Sequence, residues 1–140
     1  MKEKEIGGTT SDPLALDEEH FRAYVVSLIL NKFTEKAVGL VSARHRVREP
    51  KLSIGISKGK KKALGVYSVE ANTISFKDNE QFFNPFVVLH EMYHCIRSRS
   101  GAHRGNEKNA DRFAIDYMQS FNKLASQVVD LELYAKENVD

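Results

Sequence analysis

Cysteine is almost missing from this chain. Cys95 stands alone among 140 residues, so no internal disulfide can form. Long apolar runs are missing too: the longest, Ala23 to Leu30, is interrupted by Ser27 and falls far short of the roughly 20 residues that cross a bilayer. It reads as a buried helix face. The opening Met1–Glu5 stretch has no apolar region of the kind a secretion signal needs. A cytoplasmic protein without a membrane partner is therefore expected. Excess charge is absent as well, the formal net charge being +2, and no internal repeat is visible. With 41% hydrophobic residues, the chain can bury one core but not two. We expect a single domain over 13–140, preceded by a disordered polar tail over 1–12 that carries Gly7, Gly8, Thr9, Thr10 and Ser11.

Against this plain background stands His90-Glu91-Met92-Tyr93-His94, an HExxH arrangement. Residues four apart lie one turn above each other on a helix, so the two imidazoles can share one cation. Glu91 then reaches toward a water on that metal. With five histidines in the chain, such a pattern arises by chance on the order of one time in a hundred, so its surroundings matter. Asn84-Pro85 reads as an N-cap followed by proline at the first helical position. Phe86, Val87, Val88 and Leu89 make the first turns apolar, which fixes the histidines on a buried helix, and Gly101 is the expected stop.

A catalytic zinc takes three protein ligands and leaves one position to water, so the third ligand decides most. Downstream, Glu107 opens a long amphipathic segment with Phe113, Tyr117, Phe121, Leu124 and Val128 at helical spacing. A loop from Arg97 to Asn106 can fold that helix back and bring Glu107 over the histidine pair. Asp111, one turn on along the same face, can accept the free N–H of a ligating histidine and fix its tautomer. His103 is the alternative third ligand, and otherwise a loop residue among Arg97, Arg99 and Arg104.

HExxH followed by ExxAD-x-FA resembles the gluzincin metallopeptidases, in particular the ImmA/IrrE-like proteins and the catalytic core shared with HtpX and the CAAX prenyl proteases. The resemblance covers roughly Ala63 to Tyr117, as a minimal soluble form. It implies one zinc ion per chain on His90, His94 and Glu107, Glu91 as catalytic acid/base, Asp111 as supporting residue and a protein or peptide as substrate. His90 to Cys95 is also similar to the opening of SprT-like proteases, in which a third histidine completes the site; that reading favours His103.

The fold expected is α+β, a minimal zincin-like domain. A helix from Pro13 or Asp17 to Lys36 should turn Phe21, Val25, Leu28, Ile29 and Phe33 inward. Short runs at Lys51–Ser57, Leu64–Val69 and Thr73–Phe76 should form a small antiparallel sheet, followed by the HExxH helix and the glutamate helix. In zincins the edge strand above the site pairs with an extended substrate, and Thr73, Ile74, Ser75 and Phe76 are the candidates for it, against the alternative of an ordinary core strand. Tyr67, Tyr93, His103 and Tyr117 are all candidates for the donor that steadies a developing oxyanion.

Other residues take plainer roles. Cys95 points about 100° away from the ligating face and reads as a small buried hydrophobe. His20 and His45 read as a helix-surface and a loop residue. Arg44-His45-Arg46-Val47-Arg48, Lys58–Lys62 and Arg97–Arg104 could make one positive surface, with nucleic acid as the corresponding partner, although acidic segments at both ends offset it. Two function classes result: a zinc endopeptidase, and a non-enzymatic zinc-stabilised binding module.

Overall fold

The computed structural model describes residues 12–56, 62–101 and 105–137, with side chains as far as Gln127. After one 3-10 turn at Pro13–Ala15, the elements are α1 (Glu18–Leu30), α2 (Thr34–Arg44), β1 (Lys51–Ile54), β2 (Gly65–Ser68), β3 (Thr73–Phe76), the single turn α3 (Asn79–Phe82), α4 (Pro85–Arg99) and α5 (Glu107–Glu137). The domain is α+β, as expected. Residues 1–11, the expected tail apart from Asp12, lie outside the described residues.

The N-terminal helix is two helices. Asp17 caps α1 by accepting the backbone N–H of His20 at 2.8 Å, and Glu18 and Glu19 complement the positive end of the helix dipole. Phe21, Val25, Val26, Leu28 and Ile29 are buried against α5 and α2. The break comes at Lys32, whose φ is +71°, with Phe33 N–H bonded to Leu28 O and Lys32 N–H to Ile29 O. That is a Schellman cap. Arg46, φ +57°, ends α2 the same way, through Val47 N–H to Ser42 O and Arg46 N–H to Ala43 O. Phe33, expected in the core, therefore sits at the corner with 57% of its surface exposed, and the helical pattern runs on to Arg44 instead of ending at Lys36.

The sheet is mixed, not antiparallel. Its order is β1-β3-β2: β1 runs parallel to β3, with Lys51 opposite Thr73, while β2 pairs antiparallel with β3, Val66 opposite Ser75. Thr73–Phe76 is thus the central strand, hydrogen-bonded on both sides, and cannot be the edge that takes a substrate. Ile74 and Phe76 are buried while Thr73 and Ser75 face outward, the pattern of a core strand. Among the described residues, the free edge next to α4 belongs to β2.

One apolar cluster joins the layers, with Phe21, Ile29, Ile74, Phe76, Leu89, Met92 and Tyr117 among its fully buried members. At about 25 cal/mol per Å² of apolar surface, each such side chain contributes roughly 1.5–3 kcal/mol. α4 lies between the sheet and α5, which places its central turns at the junction of both layers. Among the described residues no helix is long and apolar enough to cross a membrane.

Candidate metal centre

The start of each helix sets the site. Asn84 Oδ1 accepts Phe86 N–H at 3.0 Å and Pro85 occupies the first position of α4, where no N–H is needed. Counting from that fixed start, Val87, Val88, Leu89, Met92 and Cys95 go into the core, and His90 and His94 are left facing α5. Asn106 caps α5 in turn, its Oδ1 accepting Asn109 N–H at 2.7 Å. Glu107 is therefore the first residue of α5, where the helix dipole favours a carboxylate. Just before it, Gly105 has φ +88° and lies so close to Tyr93 that a Cβ there would sit 2.4 Å from Cε2 of the ring. Only glycine lets the incoming loop press onto α4 and deliver Glu107 over the histidines.

Two imidazoles and one carboxylate converge. Glu107 Oε1 is 2.7 Å from His90 Nε2, Glu107 Oε2 is 2.9 Å from His94 Nε2, and the ligand atoms of the three residues lie within 4.8 Å of one another. On its other side, His90 Nδ1 is 2.9 Å from Asp111 Oδ1. A neutral imidazole has one N–H. His90 can therefore donate to only one of the two carboxylates as a neutral ring. With Nδ1–H donated to Asp111, Nε2 keeps its lone pair, the form in which it would bind a metal. The donor set, two imidazole nitrogens and a carboxylate, fits a borderline divalent ion such as zinc.

Burial separates the roles. His94 is fully buried and Glu91 is 6% exposed, whereas the Glu107 side chain is 71% exposed. The histidines lie inside and the carboxylate stands at the mouth. Glu91 Oε2 lies 4.0 Å from His90 Nε2, close to the cluster without belonging to it. Glu91 instead lines an open cleft of about 240 Å³, together with His90, Glu107, Phe86 and Val87 on the helices and the Ala63–Leu64–Gly65 segment on the far side. The strand beside the cleft is β2, not Thr73–Phe76. Lys77 N–H bonds to Leu64 O, and hydrogen-bonded pairs alternate along an antiparallel ladder, so the backbone N–H and C=O of Gly65 point away from β3 to the open edge.

The candidate oxyanion donors sort themselves. Tyr117 is 1% exposed and Tyr67 2%. Tyr117 packs beside Phe113 in the core, and burial drives its phenol pKa far up. Tyr67 donates its hydroxyl to Asn72 Oδ1 at 2.8 Å and accepts from Arg99 Nε at 2.9 Å, buried between β2 and the end of α4. Neither can meet a substrate. Tyr93 is only partly buried, its ring centroid 5.7 Å from that of His94. His103, candidate donor and alternative ligand, lies outside the described residues.

Cys95 is fully buried with its sulfur 3.8 Å from Asn72 Oδ1, and desolvation raises its pKa, so it stays a protonated thiol outside the metal cluster. His20 is on the surface, paired with Asp17, and His45 caps α2 with its ring beside Phe113. In the basic segments, Arg44 lies 4.2 Å over the Phe21 ring and bonds Glu18 and Leu16 O, while Arg99 holds Tyr67 and Val69 O. Those two arginines are engaged inside the molecule. Lys58 to Lys61 and Arg104 lie outside the described residues.

Two site residues were not anticipated, Gly65 and Gly105. Both are glycines whose partner is distant in sequence or only visible in three dimensions. Comparison with protein family models, with curated proteins and with solved structures returns no match for this chain.

Proposed function

We propose that the chain is a zinc-dependent peptide hydrolase with the residues of α4 and α5 as its machinery. The observation that carries this reading is the convergence of His90, His94 and Glu107 beside a buried carboxylate, Glu91, that lines an open cleft. Zinc held by these three residues would supply a bound water acidified to a pKa of about 7. Glu91 would take up the proton released in the attack on the scissile carbonyl and pass it to the leaving amine, a role that asks for a carboxylate near the metal ligands but outside their number. Asp111 would hold His90 in the tautomer that leaves Nε2 to the metal. An extended peptide would lie along the free edge of β2, with Gly65 offering its N–H and C=O.

Three protein donors cluster among the described residues, which suits an open catalytic site better than a closed structural one. The test is direct. Protein stripped of metal and reloaded with one equivalent of zinc is incubated with a peptide library, and products are read by mass spectrometry. Cleavage restored by zinc and abolished by chelator is the expected result. Stoichiometric zinc binding with no cleavage of any peptide would favour the binding-module reading.

A further inference from the structure

Gly65 lies against the side chain of Glu91. A Cβ at Gly65 would stand 3.0 Å from Val87 Cγ1 and 3.2 Å from Glu91 Cγ, both tighter than ordinary van der Waals contact. No turn demands a glycine here. Gly65 is inside the β2–β3 ladder, opposite Phe76, and its φ is not positive, so any residue could adopt its backbone and most would strengthen the strand. What the missing side chain permits is the approach of bare backbone to Val87 and Glu91.

We propose that Gly65 is a positioning residue for Glu91, its backbone forming a roof that holds the Glu91 side chain in the orientation proton transfer needs. This rests on the hydrolase reading above. The three partners of the contact differ in how far they can give. Val87 is 4% exposed and β-branched, with essentially one χ1 rotamer on a helix, so it cannot swing aside. β2 cannot lift without breaking its register with β3, Val66 on Ser75 and Tyr67 on Ile74. Glu91 alone is unbranched, and it lines the open cleft. A methyl group added at Gly65 therefore presses on both Val87 and Glu91, and wedged against the unyielding Val87 it pushes the softer Glu91 side chain, whose carboxylate shifts relative to His90 and Glu107. The metal ligands themselves are not touched.

The experiment is Gly65→Ala, alone and combined with Val87→Ala. Since a misplacement of about 1 Å can cost on the order of 10²-fold in rate, a shift of a few tenths of that corresponds to a loss in kcat of about three- to fivefold, with zinc affinity unchanged. Adding Val87→Ala opens space under the new methyl and should restore most of the rate even though it lowers the melting temperature. A role through stability alone predicts the opposite, a further loss. Independently of turnover, NMR of the metal-free protein should show a nuclear Overhauser contact between Gly65 Hα and Glu91 Hγ, and displaced Glu91 γ-methylene resonances in Gly65→Ala. Gly65→Ala within twofold of the wild-type kcat, a loss that deepens with Val87→Ala, or unmoved Glu91 resonances would each overturn the proposal. Should zinc-loaded wild type cleave nothing, the hydrolase reading fails by itself, and the NMR contact still decides whether Gly65 holds Glu91.

Discussion

Replacing Asp111 isolates the part of the site that is assigned neither to the metal nor to the reaction. Its carboxylate accepts His90 Nδ1–H at 2.9 Å, and its side chain is 49% exposed. Asn can still accept that hydrogen bond but without charge. A hydrogen bond to a charged group contributes about 1.5–3 kcal/mol and a neutral one about 0.5–1.5, a difference of about 1–1.5 kcal/mol that solvent at a half-exposed site trims to about 1 kcal/mol. Since 1.4 kcal/mol is tenfold in affinity, Asp111→Asn should weaken zinc binding by about fivefold. Asp111→Ala also loses the orientation of the ring and should approach 100-fold, the upper end for such supporting carboxylates. The assay is competition against a zinc-buffering chelator at fixed pH. Asp116→Asn is the control: five positions on, it points about 140° away around α5 and should bind zinc like wild type. Equal losses from Asp111 and Asp116, or none from Asp111, would refute the assigned role.

Three other outcomes follow from the same geometry. Glu107→Ala removes the carboxylate that meets both Nε2 atoms at 2.7 and 2.9 Å and should weaken zinc binding by more than Asp111→Ala does, read in the same competition; an unchanged affinity would mean that another residue is the third ligand. Gly105→Ala puts a methyl 2.4 Å from the Tyr93 ring at a φ of +88° and should destabilise the fold by about 1–3 kcal/mol while loosening zinc, checked by thermal denaturation with and without metal. The tyrosines should diverge: the Tyr117 hydroxyl is buried without a hydrogen-bond partner among the described residues, so Tyr117→Phe should be neutral or slightly stabilising. Tyr67→Phe strips Asn72 and Arg99 of a shared partner and should cost about 1–3 kcal/mol in chemical denaturation.

The helices that carry the site were legible because their signals are local. Asn84 and Pro85 mark the start of α4, Gly101 its end, and Glu107 and Asp111 lie one turn apart on α5, so face and spacing follow from periodicity alone. The break between α1 and α2 was hidden because Lys32 and Arg46 occupy left-handed positions where glycine is the usual marker, while apolar residues continue through the corner. Strand order was hidden for another reason. Thr73–Phe76 has the alternation of an edge strand in an antiparallel sheet, but whether a strand is central depends on which segments pair with it, and β1 joins it from 22 positions away in parallel register. Gly65 and Gly105 were equally silent: a glycine in a sequence does not reveal what presses on it.

The most direct measurement is hydrolysis and zinc content determined together for Glu91→Gln. Glu91 lies beside the three clustered donors and is not one of them, so the amide should leave about one zinc per chain in place and the melting temperature near that of wild type, while peptide cleavage falls by roughly 10²-fold or more. Cleavage by Glu91→Gln at the wild-type rate, with zinc bound, would contradict the account.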